Sequence, residues 1–474
     1  MYDTHWSLRE RLIRLGVCLV SALLFWVLPS PSGLPVEAWR VFAVFVGVIL
    51  GILLRPYPMS VMTLLGLIML VVLGVVPLDE ALSGFADSTV WLVVAAFLFA
   101  GAIVRTGLGE RIALALISRL GRSMVGLGYA IAVSEWVLGP VIPSNTARGG
   151  GVLAPIVRSM AEALGSWPER EPERAGRYLM LVGAHSNLIA AATFLTGMAA
   201  NPLVVRAAAD VFGIEFSWPQ WFLGAVVPSL AGMAVLPWIL RTLVRPTLEE
   251  TAPAQQAARA RLAALGPWSW RQRAVAVLFA LLILLWATKP LHGLGTTTVA
   301  LVGVGLLLLL RIDSWEGMLQ TLGAWDALVW LGGLLSLADR LREYGFIAWF
   351  VERAATVVQG FSPLIVALAL GIIYFYSMYG FSMLTGHISA MVGAFFAVAL
   401  AAGAPPLLVV PLFAYLSNLC GCLTNYSTGP VIIYYGFGYV SAPRWLSVGF
   451  LIGLVHLIVW VPLGLGWWKV LGWW

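Results

Sequence analysis

The sequence predicts an all-α integral membrane protein, and three observations carry that reading. Hydrophobic residues fill 61% of the 474 positions and charged residues only 11%, with a mean hydropathy of +0.93; a soluble domain carries roughly 25% charged and 45–50% apolar residues. The apolar residues come in continuous runs of helix-spanning length, not in the alternating segments of about ten residues that mark an outer-membrane barrel. The 22 Trp, many near the ends of these runs, suit interfacial aromatic belts. A cytosolic enzyme, a disordered chain and a secreted disulfide scaffold are excluded. Cys18, Cys420 and Cys422 all lie within apolar runs, so no disulfide framework is implied.

A spanning helix needs about 20 apolar residues. Continuous spans are therefore expected near 11–30, 36–54, 58–77, 88–105, 219–240, 271–288, 293–311, 324–341 and 443–467. The first run follows Arg9, Arg11 and Arg14 but is long and has no A-x-A site, so it reads as a membrane helix rather than a cleaved signal. Three further stretches, 123–160, 178–205 and 361–440, are apolar yet broken by polar residues, Gly and Pro. The long hydrophilic connection, 241–270, reads as a cytoplasmic interfacial helix.

The net charge of +6 reflects cytoplasmic loops rather than a nucleic-acid partner. With the N-terminus inside, 20 of the 28 basic residues fall on the cytoplasmic side and 7 outside, and Arg148 is left in the membrane. That asymmetry requires 123–160 and 361–401 to be re-entrant hairpins. The expected count is eleven spans plus two hairpins, with the C-terminus outside.

An internal repeat supports this layout. Asp87-Ser-Thr-Val-Trp-Leu recurs as Asp326-Ala-Leu-Val-Trp-Leu, and Ser186-Asn187-Leu188 recurs as Ser417-Asn418-Leu419, at separations of 239 and 231 residues. An odd number of spans between the copies gives the halves opposite topology. The expected organisation is an N-terminal helix (1–35), a first inverted repeat (36–240, with hairpin 123–160 and broken helix 178–205), the linker 241–270, and a second repeat (271–474, with hairpin 361–401 and broken helix 408–440). Inverted repeats with interrupted helices point to a secondary transporter whose site lies at the bilayer midplane.

Chemistry concentrates in the irregular stretches. Ser144-Asn145-Thr146-Ala-Arg148-Gly-Gly-Gly places hydroxyls, an amide and a guanidinium inside an apolar region, where non-helical backbone is tolerated only in protein or around a cavity. Ser144 at a helix N-cap presents free N–H groups and a positive helix end to a carboxylate. Arg148 needs an anionic partner, either Glu135 or an anionic substrate. In the second hairpin, Thr385-Gly386-His387-Ile-Ser389 marks the expected tip. His387 is a hydrogen-bonded structural residue, a substrate contact or a titrating charge.

Thr193, Thr196, Gly197 and Asn201 interrupt one helix; Thr424, Asn425, Ser427, Thr428 and Gly429 interrupt the other. Ser186-Asn187 and Ser417-Asn418 read as interhelical hydrogen-bonding residues, and Asp87 and Asp326 as helix caps. No metalloprotease, Walker A, nucleophile-elbow or CxxC motif occurs, so no enzyme activity, metal or cofactor is expected.

Pro143-Ser-Asn-Thr-Ala-Arg-Gly-Gly-Gly, Leu384-Thr-Gly-His-Ile-Ser and Ser417-Asn-Leu…Leu423-Thr-Asn-Tyr-Ser-Thr-Gly-Pro resemble the divalent anion/sodium symporter family over nearly the whole chain from residue 36. The closest resemblance is to its bacterial and plastid branch of dicarboxylate and citrate exchangers. The resemblance implies a homodimer in a bacterial inner membrane, with a moving transport domain that works as an elevator and small dicarboxylate anions as substrates. It places substrate contacts at Ser144, Asn145 and Thr146, at Thr385, Gly386 and His387, and at Thr428 beside Ser427. Thr196, Gly197, Ser389 and Thr424 would support the site. In sodium-coupled members the second triplet is also Ser-Asn-Thr and its Asn helps hold sodium, a role Gly386 lacks. These departures suggest sodium-independent exchange, in which a fixed Arg148 charge with His387 neutralises the loaded site and leaves the empty site charged. The alternative is a sodium- or proton-coupled symporter of the same fold.

Overall fold

The computed structural model describes residues 7–140 and 142–474; residues 1–6 of the N-terminal segment lie outside the described residues. The longer helices, in chain order, are α1 (Leu8–Val27), α2 (Val36–Leu54), α3 (Met59–Val72), α4 (Ser88–Thr106), α5 (Leu108–Leu120), α6 (Met124–Leu138), α7 (Ala154–Ala163), α8 (Gly176–Thr193), α9 (Asn201–Phe212) and α10 (Trp218–Val244). They continue with α11 (Ala252–Ala264), α12 (Trp270–Ala287), α13 (Thr296–Leu309), α14 (Leu322–Glu343), α15 (Phe346–Val358), α16 (Pro363–Ser377), α17 (Leu384–Ala401), α18 (Pro406–Leu419), α19 (Gly429–Gly436) and α20 (Ala442–Val470). Among the described residues there is no strand, only an isolated bridge between Ser123 and Glu250. Nine helices of the described residues are long and apolar enough to cross a membrane, and the chain is an α-helical membrane protein.

Local chemistry sets the helix ends. Ser7 and Glu10 close a capping box on α1, with the Ser7 amide 2.8 Å from the Glu10 carboxylate. Asp87 caps α4, accepting from the Thr89 amide at 2.7 Å. Asp326 differs from its expected role: α14 already begins at Leu322, which places Asp326 a turn inside the helix.

Packing does not follow the two halves of the sequence. α1–α4 and α12–α14 pack densely on one another, and α6–α10 with α16–α20 form a second body; α5, α11 and α15 run between them as arms. Each body thus draws helices from both halves. The second body contains two interrupted helices. α8 stops at Thr193, and α9 starts at Asn201 with Pro202 in its first turn. α18 stops at Leu419 and continues through a 3-10 turn, Cys420–Leu423, before Thr428 caps α19.

Every break in a membrane helix frees carbonyls that need partners. Asn201 Nδ2 donates to the Ala191 and Phe194 carbonyls at 2.9 and 3.0 Å, and Trp221 Nε1 donates to Ala192 O at 2.9 Å. At the second break Ser427 Oγ donates to Gly421 O at 2.6 Å and Trp445 Nε1 to Thr424 O at 3.3 Å. Asn418 Nδ2 donates to Asn201 Oδ1 at 2.8 Å and ties one break to the other.

The second break also depends on close approach of α20. A Cβ on Gly449 would stand 2.2 Å from the Cys422 carbonyl oxygen, a backbone atom that cannot step aside. Gly449→Ala should therefore lower stability by about 1–3 kcal/mol, read as thermal unfolding in detergent. Gly305→Ala on α13, where nothing lies within 4 Å, should leave it unchanged. Equal effects at the two positions would show that this contact does not govern packing.

Candidate functional site

The loop between α6 and α7 winds into a π-helix, Thr146–Leu153, with Ser144 and Asn145 at its start. Ser144 Oγ accepts from the Ala147 amide at 3.1 Å, a capping bond on the first free N–H groups. Close packing holds this tip against the second break: Cβ atoms on Gly149, Gly150 and Gly429 would meet Asn187 Nδ2, Ile433 Cδ1 and Thr146 Oγ1 at 2.5, 2.3 and 2.1 Å. The glycine run therefore serves contact rather than flexibility. Gly151 faces open space except for the Thr146 carbonyl at 4.0 Å.

Three helix beginnings meet here. The π-helix starts at Thr146, α19 starts at Gly429 behind the Thr428 cap, whose Oγ1 accepts from Val431 N at 3.3 Å, and α17 starts at Leu384, whose amide donates to Ser427 O at 2.9 Å. Ser144, Asn145, Thr146, Ser427 and Thr428 are thus gathered with the first turn of α17, which carries Thr385 and Gly386. Asn145 Nδ2 and Thr424 Oγ1 are buried without a hydrogen-bond partner. Such groups are costly unless something occupies them.

Arg148 does not face this cluster. Its side chain is fully buried, with Nε bonded to Glu135 Oε2 at 2.8 Å, Nη1 to the Ile142 and Gly197 carbonyls at 2.7 and 2.9 Å, and Nη2 to Asn187 O at 3.4 Å. Asn187 Nδ2 donates to the same Glu135 oxygen at 2.9 Å and to Asn145 O at 3.3 Å. Of the two partners open to Arg148, the structure supplies Glu135, and the pair is electrically neutral. The expectation of a fixed positive charge facing substrate is corrected. A desolvated guanidinium is held by the nearest carboxylate and by carbonyls of the hairpin loop, of α8 and of the break.

His387 departs in the same way. Its Nε2 lies 2.8 Å from Ser377 Oγ, and its ring packs at 4.3 Å from Tyr374 and 4.9 Å from Phe381. The side chain points into the hairpin, and the tip itself is formed by 378–383, one turn earlier than expected. Gly386 packs against α2, where a Cβ would stand 3.0 Å from Ile52 Cγ2. Ser389 Oγ donates back to Thr385 O at 2.8 Å. Thr196 Oγ1 donates to Pro140 O at 3.0 Å and accepts from Trp218 Nε1 at 3.2 Å, and Gly197 contributes its carbonyl to Arg148; both serve the first break.

Sequence reasoning missed a correspondence. Glu135 and Arg148 are 13 residues apart, as are Tyr374 and His387, and the two pairs are offset by the 239 residues that separate Asp87 from Asp326. In both hairpins the pair links the two limbs and reaches the Ser-Asn motif: Glu135 bonds Asn187, and Tyr374 Oη lies 2.8 Å from Ser417 Oγ. The offset alone contained the signal.

Hairpin tips and helix breaks that converge inside a membrane-spanning body define a secondary transporter. Residues 9–474 match the family described as the sodium:sulfate symporter transmembrane region, and the chain belongs to that family. It is 39% identical to the putative malate transporter YflS of Bacillus subtilis over 465 residues, covering 98% of this chain and 97% of that protein. It is 37% identical to the chloroplastic dicarboxylate transporter 1 of Spinacia oleracea over 460 residues (96% and 81% covered). It is 35% identical to the L-tartrate/succinate antiporter of Escherichia coli K12 over 491 residues (99% of both). In fold it resembles the YdaH transporter of Alcanivorax borkumensis, with a TM-score of 0.59 at 14% identity, covering 98% and 97% of the two chains.

Arg148→Gln would leave Glu135 charged and buried and should cost about 3–5 kcal/mol. The double variant Glu135→Gln with Arg148→Gln removes both charges and should recover most of that loss in thermal unfolding. Equal losses in single and double variants would assign the role to the carbonyl contacts instead.

Proposed function

We propose that this protein exchanges C4 and C5 dicarboxylates, among them malate, succinate and 2-oxoglutarate, and also citrate, across a bacterial inner membrane by sodium-independent antiport. The observation that carries the reading is the meeting of three helix N-termini at Thr146, Leu384 and Gly429, lined by hydroxyls and the unpartnered Asn145 amide. A helix N-terminus is equivalent to about half a positive charge, so three together present roughly +1.5 to a dianion. This replaces the free Arg148 charge as the source of neutralisation. In the empty site the Asn145 amide and the Thr424 hydroxyl stay buried without partners, which disfavours its return through the membrane and favours exchange. The names of the relatives support the same substrate class.

In this reading the second body is the moving unit of an elevator, the halves are inverted repeats, the N-terminus is cytoplasmic with the C-terminus outside, and two copies form a homodimer. The tip of the second hairpin supports an inward-facing arrangement. Ser382 Oγ donates to Leu53 O at 3.1 Å and Arg55 Nη2 donates to Ser382 O at 2.9 Å, so the tip reaches the end of α2 that lies with the basic face. One observation favours the alternative of a sodium- or proton-coupled symporter: pairing with Glu135 removes the Arg148 charge, which leaves part of a dianion for a cation to balance.

Purified protein in sodium-free vesicles separates the two. Uptake of labelled malate is followed with the lumen empty or loaded with 2-oxoglutarate, with and without an inward sodium gradient. Exchange predicts uptake that requires the internal dicarboxylate and ignores sodium. Sodium-driven uptake into empty vesicles would instead establish symport.

A further inference from the structure

Between the two bodies runs a crevice of about 360 Å³. Phe42 and Phe45 of α2 form part of one wall, and α17 presents Ala390, Gly393, Ala394 and Ala397 on the other. These small residues recur at helical spacing and, with Ile388 and Val392 beside them, give the facing wall an apolar surface.

Contact is remade at one end of the crevice by charge. Arg206 of α9 bonds Asp87, the cap of α4, at 3.0 Å, and Asp339 of α14; it also bonds Asp210 one turn on in α9 at 3.3 Å. Arg342 of α14 returns the contact, reaching Asp210 at 3.3 Å. α4 and α14 belong to the first body and α9 to the second. The side chains of Asp87, Asp210 and Asp339 are only 16%, 8% and 12% exposed. Separating the bodies would leave these carboxylates poorly hydrated until they move clear, so the bridges resist motion more than isolated surface pairs do.

We propose that the Arg206–Asp87, Arg206–Asp339 and Arg342–Asp210 bridges form a latch that holds the two bodies in the arrangement seen here and opens when the second body shifts. This rests on the reading of the second body as the moving unit. The latch sets which arrangement the resting protein occupies, and the apolar crevice supplies the path along which the bodies part.

The test uses Ala390→Cys on the crevice wall as a reporter; the native cysteines are buried. The rate of its reaction with a water-soluble maleimide is measured in vesicles, with reagent on both sides. Arg206→Gln should raise that rate about tenfold by moving population away from the latched arrangement, and Arg342→Gln should raise it less. Arg105→Gln should leave it unchanged, because the Arg105–Asp313 bridge lies within the first body. Salt near 1 M, where screening extends over only about 3 Å, should accelerate labelling of the parent. A folded Arg206→Gln protein that labels at the parental rate would overturn the latch. If that variant does not fold, Arg342→Gln decides by the same criterion. Labelling needs no substrate: altered labelling without malate exchange would reject the exchange reading and keep the latch, while exchange with unaltered labelling would reject the latch alone.

Discussion

The organisation of the second body depends on one buried guanidinium. Arg148 binds a carboxylate from α6 and carbonyls from the first hairpin, from α8 and from the first helix break. The Ile142 and Gly197 carbonyls lie outside any regular helix and have no helical donor, whereas Asn187 O, inside α8, receives a second bond. A single five-donor cation thus resolves several hydrogen-bond deficits at membrane depth, which a lysine with one point charge would not do. The irregular backbone at the hairpin tip exists because this side chain makes it tolerable.

That arrangement also shows where reading the sequence succeeds and where it stops. Long apolar runs made the α-helical membrane class legible, because chain length and hydropathy respond directly to bilayer thickness. Asp87 was legible as a cap since capping is local. The direction in which Arg148 and His387 point was not. Each stands near polar residues in sequence, yet the choice between a substrate and a neighbouring helix depends on contacts such as Glu135 and Ser377, supplied by chain folded back over the hairpin. Asp326 failed for a related reason: four residues of additional helix before it turn a capping position into an interior one.

The two hairpins solve the same geometric problem with different chemistry. The first uses a carboxylate and a guanidinium at a separation of 13 residues, and the second a phenol and an imidazole at the same separation. Both join the limbs and anchor them to the Ser-Asn segment of the neighbouring helix. The first solution is ionic and tolerates no loss of a partner. The second is built on ring packing and neutral hydrogen bonds, whose cost of rearrangement is smaller. Mechanical stiffness is therefore expected to be unequal between the two hairpins, with the Arg148 side the firmer.

The Asn201–Asn418 bond joins the two helix breaks. An amide pair at that place makes the interrupted helices behave as a single beam with a cross-tie. A strain placed on one interruption is therefore expected to reach the other through this bond.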